Sequence, residues 1–155
     1  MSSQVLSTQV SIHAFVALLR AHTATTRQLN AQLLAEHGLT ISDYEVLLRL
    51  SRSPDRRMRR VDLAGEVLLT ASGVTRLLDG LERSGFVERG TCDSDRRVVY
   101  AVLTEAGAEK LAAAGESHRA QIDELLTARL DGAELESLAA LLSRLGEEAP
   151  YCAPE

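Results

Sequence analysis

A mainly helical fold carrying one small β-hairpin is predicted by three features of the sequence. The 155 residues include 26 Leu and 21 Ala against 11 Val and 3 Ile, a balance of helix formers over β-branched residues. Apolar residues recur at helical spacing over most of the length. Two β-rich runs, Phe86 to Arg89 and Val98 to Leu103, flank a polar turn. The length predicts one domain, 1–155, and a chain of this size buries roughly two-thirds of its unfolded surface without a metal or disulfide staple.

The first element is a long helix over residues 5–36, where Val5, Phe15, Leu18, Leu19, Leu29 and Leu33 recur with no Pro or Gly before Gly38. Ser42 with Glu45 reads as a capping box for a second helix carrying Tyr44, Leu47, Leu48 and Leu50. The run Ser53-Pro54-Asp55-Arg56-Arg57-Met58-Arg59-Arg60 is too polar to bury and reads as a loop. Asp62 is expected to cap a short helix over 62–68, and Thr70 a helix over 71–84 with Val74, Leu77, Leu78 and Leu81 on one face. Two short helices so close together have the spacing of a helix-turn-helix, and the hairpin that follows has the place of a wing. Thr104 caps a further helix bearing Leu111, His118, Ile122 and Leu125. Asp131 with Glu134 opens the last one, where Leu135, Leu138, Leu142 and Leu145 follow a 3-4-3 spacing. Two heptads do not sustain a free coiled coil, so this seam needs a partner: the first helix or a second subunit.

Composition removes several classes. With 45% apolar, 25% charged and 3% aromatic residues the chain is not collagen-like, disordered or a disulfide scaffold. No apolar run is longer than the six residues of Ala14 to Leu19, far short of the roughly 20 residues that span a bilayer, and no basic segment precedes an apolar one at the N-terminus. A cytoplasmic protein without a membrane partner is expected. Cys92 and Cys152 form no CxxC pair, which suits a reducing compartment. There is no P-loop, no GxGxxG, no HExxH and no GxSxG, so no enzyme is expected.

The net charge of −5 conceals a division. Residues 1–48, 49–97 and 98–155 carry −1, +3 and −7, and all 11 cations of the middle segment are Arg, the side chain suited to bidentate phosphate and base contacts. A polyanion would meet the middle first.

The run from Val61 to Arg89, VDLAGEVLLTASGVTRLLDGLERSGFVER, resembles the winged helix-turn-helix of the MarR family of bacterial transcriptional regulators. The Asp95-Arg96-Arg97 that follows, and then Leu103-Thr104-Glu105-Ala106-Gly107, are similar to that family's wing and its exit into the next helix. The resemblance implies a fold that is mainly α with a β-hairpin wing, divided into a DNA-binding lobe over 42–103 and a helical dimerisation region over 1–36 and 104–147. It implies a homodimer, more readily a repressor, reading a pseudo-palindromic operator in double-stranded DNA. Val5, Phe15, Leu135, Leu138, Leu142 and Leu145 are the candidate dimer contacts. Many members release DNA on binding a small phenolic or lipophilic effector. The wing departs from the family pattern at Ser94, where an additional Arg is usual, leaving the wing contact weaker or shifted to Arg96 and Arg97.

A recognition helix in the major groove presents its N-terminal residues to base edges, here Thr70, Ala71, Ser72, Gly73, Thr75 and Arg76. Ala71 and Gly73 allow close approach, Ser72 and Thr75 can bond phosphates or bases, and Arg76 can take a guanine edge. Arg96 and Arg97 would enter a minor groove, with Asp95 an orienting ion-pair partner. Arg56, Arg57, Arg59 and Arg60 are candidate phosphate contacts, with Arg59 and Arg60 nearest the helix-turn-helix. An ordinary solvated basic face is the plainer reading of such a run. His13, Arg20 and Tyr44 are polar groups on apolar helices and candidates for an effector pocket. No cofactor or metal is expected, since the histidines, His37 and His118 included, form no close His-x-x-x-His pair and have no Cys nearby, and Cys92 reads as structural. Two alternatives share the scaffold: a redox- or metal-responsive regulator, and a winged-helix module that binds protein.

Overall fold

The computed structural model describes residues 2–66, 71–92, 94–95 and 97–146. Among these residues six α-helices and three strands follow in the order α1 (Ser2–His37), α2 (Ile41–Arg52), a 3-10 turn (Pro54–Arg56), β1 (Arg57–Arg59), α3 (Arg60–Glu66), α4 (Ala71–Arg83), β2 (Val87–Thr91), β3 (Val99–Leu103), α5 (Glu105–Thr127) and α6 (Gly132–Ser143). The chain forms two compact units, residues 1–118 and 119–155. No helix among the described residues is long and apolar enough to cross a membrane.

The core of the first unit gathers Leu33 and Leu39 from the end of α1 and its turn, Val46, Leu47 and Leu50 from α2, Leu63 from α3 and Val74, Leu78 and Leu81 from α4. Val87, Ala101 and Leu103 of the sheet close it, with Leu111 and Ala114 of α5. Burying this many branched side chains is the main force holding the helix-turn-helix to the sheet. The helical spacing of Val74, Leu78 and Leu81 is what turns Thr75 and Arg76 outward into solvent.

Three local expectations are corrected. The second helix opens at Thr40, not Ser42: Thr40 Oγ1 accepts from Asp43 N–H at 3.0 Å while Asp43 Oδ2 accepts from Thr40 N–H at 2.8 Å. The earlier start also gives Ile41 N–H a partner, Asn30 Oδ1 of α1, and leaves Glu45 to reach Arg49 one turn on. Asp62 is not a cap. It lies inside the first turn of α3, where the Arg59 guanidinium takes both its oxygens at 2.6 and 2.8 Å, so neither is available to the helix end. The arginine-rich run is not all loop, because Arg57–Arg59 form β1, the edge of a sheet ordered β1-β3-β2. Both pairings are antiparallel, with Arg57 opposite Val102 and Val87 opposite Leu103. Met58 packs against the core while Arg57 and Arg59 face out, an alternation too short to read within a run of arginines.

The wing's root is fixed by a glycine and a threonine. Gly85 ends α4 at φ +76°, a conformation that favours glycine. Thr104 donates through Oγ1 to Gly85 O at 2.7 Å and accepts from Gly107 N–H at 3.0 Å, capping α5 as expected. In the second unit Asp131 and Glu134 form the expected capping box of α6.

Candidate nucleic-acid interface

Helix α4 presents Thr75 and Arg76 to solvent on the side opposite its buried apolar row, and Gly73 is half-buried one turn earlier. Ala71 and Ser72 belong to α4, but nothing of their side chains is described, and Thr70 and Arg96 lie outside the described residues. Arg76 makes no hydrogen bond or ion pair among the described residues. Such a guanidinium has no bond to a described residue to leave before it meets a base edge or phosphate.

The hairpin joining β2 to β3 carries Arg97, also exposed. Asp95 holds it through the backbone: Asp95 Oδ1 accepts from Arg97 N–H at 2.9 Å, a turn-forming bond. Arg97 lines a crevice of about 230 Å³ with Arg59, Arg60, Val61, Val98 and Val99, so the structure brings the wing and the start of α3 to one basic site.

The arginines of the 56–60 run are already engaged. Arg56 Nη1 donates to Glu105 at 3.0 Å, and Arg57 stands 3.9 Å from Asp55 with its guanidinium over the Tyr100 ring. Arg59 is bidentate on Asp62, and that hydrogen-bonded carboxylate raises the guanidinium's pKa further. Arg60, with its side chain only 18% exposed, reaches Asp79 and Glu82 on α4. Arg89, which the sequence did not single out, reaches the same two carboxylates from β2. No pattern in the sequence marks this cluster, because its members lie 3 to 29 positions apart on three elements.

Of the proposed effector group, His13 and Arg20 share an open groove of about 530 Å³ on α1 with Gln9, Ile12, Val16 and Ala17. Tyr44 is not there. It packs on His118 with ring centroids 4.9 Å apart, near the end of α1 where Asn30 meets Ile41. Ten helical residues separate Arg20 from Asn30, about 15 Å of rise, so one chain does not bring the three groups together. His118 is 8% exposed, its Nδ1 is buried without a hydrogen bond, and burial lowers its pKa. His37 Nε2 pairs instead with Ser117 Oγ at 2.6 Å. Among the described residues no three His, Cys, Asp or Glu side chains are grouped to hold a metal. Cys92 Sγ lies 3.0 Å from Ser94 Oγ, and Cys152 lies outside the described residues.

Among the candidate dimer contacts, Phe15 is 61% exposed on α1 beside exposed Val10, Ile12, Val16, Leu18 and Leu19. On α6, Leu138, Leu141 and Leu142 are exposed and Leu135 half-buried. Leu145 follows the helix end, 74% exposed, and nothing is described of the Val5 side chain.

Two short helices, the second with an outward polar face, and an arginine-bearing hairpin packed behind them define a winged helix-turn-helix protein. The MarR family model matches residues 39–99, α2 through the start of β3. MhqR of Bacillus subtilis, an HTH-type transcriptional regulator, is 32% identical over 143 residues, 92% of this chain and 95% of its own length. Sco3205 of Streptomyces coelicolor, a MarR family transcriptional regulator solved in complex with DNA, superposes with a TM-score of 0.77 at 29% identity, covering 85% of this chain and 82% of that one. AbsC from the same organism, also a MarR family regulator, gives 0.75 at 33% identity over 85% of this chain and 88% of its own. The chain belongs to the MarR family of transcriptional regulators.

Proposed function

We propose that this protein is a sequence-specific DNA-binding repressor that acts as a homodimer on a pseudo-palindromic operator. The observation that carries the reading is the outward face of α4, where Thr75 and Arg76 stand exposed behind a fully engaged core face, with Arg97 exposed on the neighbouring hairpin. Helix α4 lies in the major groove with its N-terminal half, including Ala71, Ser72 and Gly73, on the bases, while the wing reaches the adjacent minor groove. That Sco3205 was solved with DNA supports the same role here.

Two exposed apolar rows support the dimer, one on α1 around Phe15 and one on α6 from Leu138 to Leu142. Patches of this kind on a folded chain mark association surfaces. Pairing two lobes sets the recognition helices about 34 Å apart, one turn of duplex. Occupying a promoter in this way blocks it without further chemistry. Release by a small phenolic or lipophilic molecule belongs to the same reading, and the ring contact of Tyr44 with His118, whose buried Nδ1 makes no hydrogen bond among the described residues, favours a site at the junction of α1, α2 and α5. A phenolic hydroxyl could donate to that nitrogen.

The test is selection of bound duplexes from a random pool at low and high salt, with the native chain and Arg76→Ala. A pseudo-palindrome enriched by the native chain and weakened in the variant is expected. If no duplex is enriched at either salt, the DNA-reading role fails and a protein-binding module takes its place.

A further inference from the structure

A closed ring of four charges ties the wing to the helix-turn-helix. Arg60 opens α3, Asp79 and Glu82 lie one turn apart on α4, and Arg89 sits in β2. Arg89 donates through Nη2 to Asp79 Oδ1 at 3.3 Å and through Nε to Glu82 Oε2 at 3.0 Å. Arg60 Nη2 donates to the same Asp79 oxygen at 3.4 Å and stands 3.6 Å from Glu82 Oε1. Each arginine thus meets both carboxylates, and each carboxylate meets both arginines. The planar fork of Arg suits this geometry, since two donors can serve carboxylates a helical turn apart where the point charge of Lys cannot.

The ring sits where the backbone alone leaves freedom. Only residues 84–86 join α4 to β2, and they turn at Gly85. Such a link sets the distance between recognition helix and wing but not their tilt. Arg89 lies beyond that turn and reaches back across it, while Arg60 holds the same two carboxylates from α3. Glu82 Oε1 is buried and makes no hydrogen bond, so the neighbouring Arg60 charge is what compensates it. The ring is also neutral, which withdraws two arginines from the field offered to a polyanion.

We propose that this ring is the positioning device that holds the wing and the recognition helix at one mutual tilt, so that Arg97 and Arg76 engage a duplex together. Arg60 and Arg89 are positioning residues, acting through Asp79 and Glu82 and not on phosphates. The proposal rests on the DNA-reading role of α4 and the wing given above.

The experiment measures binding of the selected duplex, and of its single base-pair variants, over a salt series for the native chain, Arg89→Met, Arg89→Lys and Asp79→Asn/Glu82→Gln, with a thermal melt of each. Arg89→Met is expected to weaken binding roughly tenfold. The lost discrimination should fall at the outer, wing-read positions, with the helix-read positions and the salt slope unchanged. Arg89→Lys should recover little. The double carboxylate variant frees both arginines, so its salt slope should steepen by up to about two units while its preference for the selected duplex falls. A slope flattened by about one unit in Arg89→Met would make Arg89 a phosphate contact and overturn the proposal. Unchanged binding in Arg89→Met, or a loss spread evenly over all positions and tracking the melting temperature, overturns it as well. If the native chain prefers no duplex, the DNA-reading role itself fails and the ring's part in it falls with it, a result told apart by the native control alone.

Discussion

Two groups of arginines lie within the basic middle of the chain, and they differ in what surrounds them. Arg56, Arg57, Arg59 and Arg60 are consecutive but for Met58 and look like the strongest site for a polyanion, yet each stands beside a carboxylate. Arg76 within α4 and Arg97, next to Arg96 in the loop between β2 and β3, belong to no such run, and both are exposed. Density of charge along a chain therefore says little about which cations can meet a ligand. An arginine already bonded to Asp62 must lose that bond to gain a phosphate, while Arg76 has no such bond to lose among the described residues.

The largest effect should come from the support beneath both groups. Leu78→Ala removes a fully buried side chain from the core face of α4 and is expected to cost about 2–5 kcal/mol in urea unfolding, dragging down every binding property together. Arg76→Ala should leave unfolding unchanged and lower affinity for the selected duplex about 5- to 150-fold, measured by fluorescence anisotropy. In the same assay Arg59→Ala should stay within about threefold of the native chain. Asp62→Asn sharpens the contrast by releasing Arg59 toward the crevice it shares with Arg97, and should steepen the salt dependence by about one unit.

The smallest effect concerns pH. Burial holds the pKa of His118 below its ordinary 6.5, so the unfolded chain takes up a proton before the folded one does. Stability should be indifferent to this group above that value and decline as pH falls below it. Urea midpoints measured on either side of 6.5 should show the decline, and His118→Phe should flatten it.

Much of this architecture was legible because it rests on local signals. The long first helix, the apolar row of α4, the hairpin, the Thr104 cap and the Asp131–Glu134 box each follow from residues within one or two turns of each other. What escaped depends on contacts across the chain. The Thr40–Asp43 box was preferred over Ser42–Glu45 because Asn30, 11 positions earlier, takes the Ile41 N–H. Strand β1 exists because β3 pairs with it from 43 positions away, Arg59 opposite Tyr100 forming a separation of 41, and no periodicity within three residues announces that. Of the recognition-helix residues, Thr75 and Arg76 are exposed, as the spacing of Val74, Leu78 and Leu81 predicts. The partners of the basic run were not, since Glu105, Asp79 and Glu82 reach it only in the folded chain.

The most direct test of the division between arginines bonded to carboxylates and those with no such bond among the described residues is the log–log salt slope of operator binding for Arg76→Ala, Arg97→Ala, Arg56→Ala and Arg59→Ala measured side by side. The first two should weaken binding, Arg97→Ala with a slope flatter by about one unit, while the last two should leave both slope and affinity near native. If Arg56→Ala and Arg59→Ala flatten the slope and Arg76→Ala and Arg97→Ala do not, the basic run is the binding surface after all and the assignment to α4 and the wing is wrong.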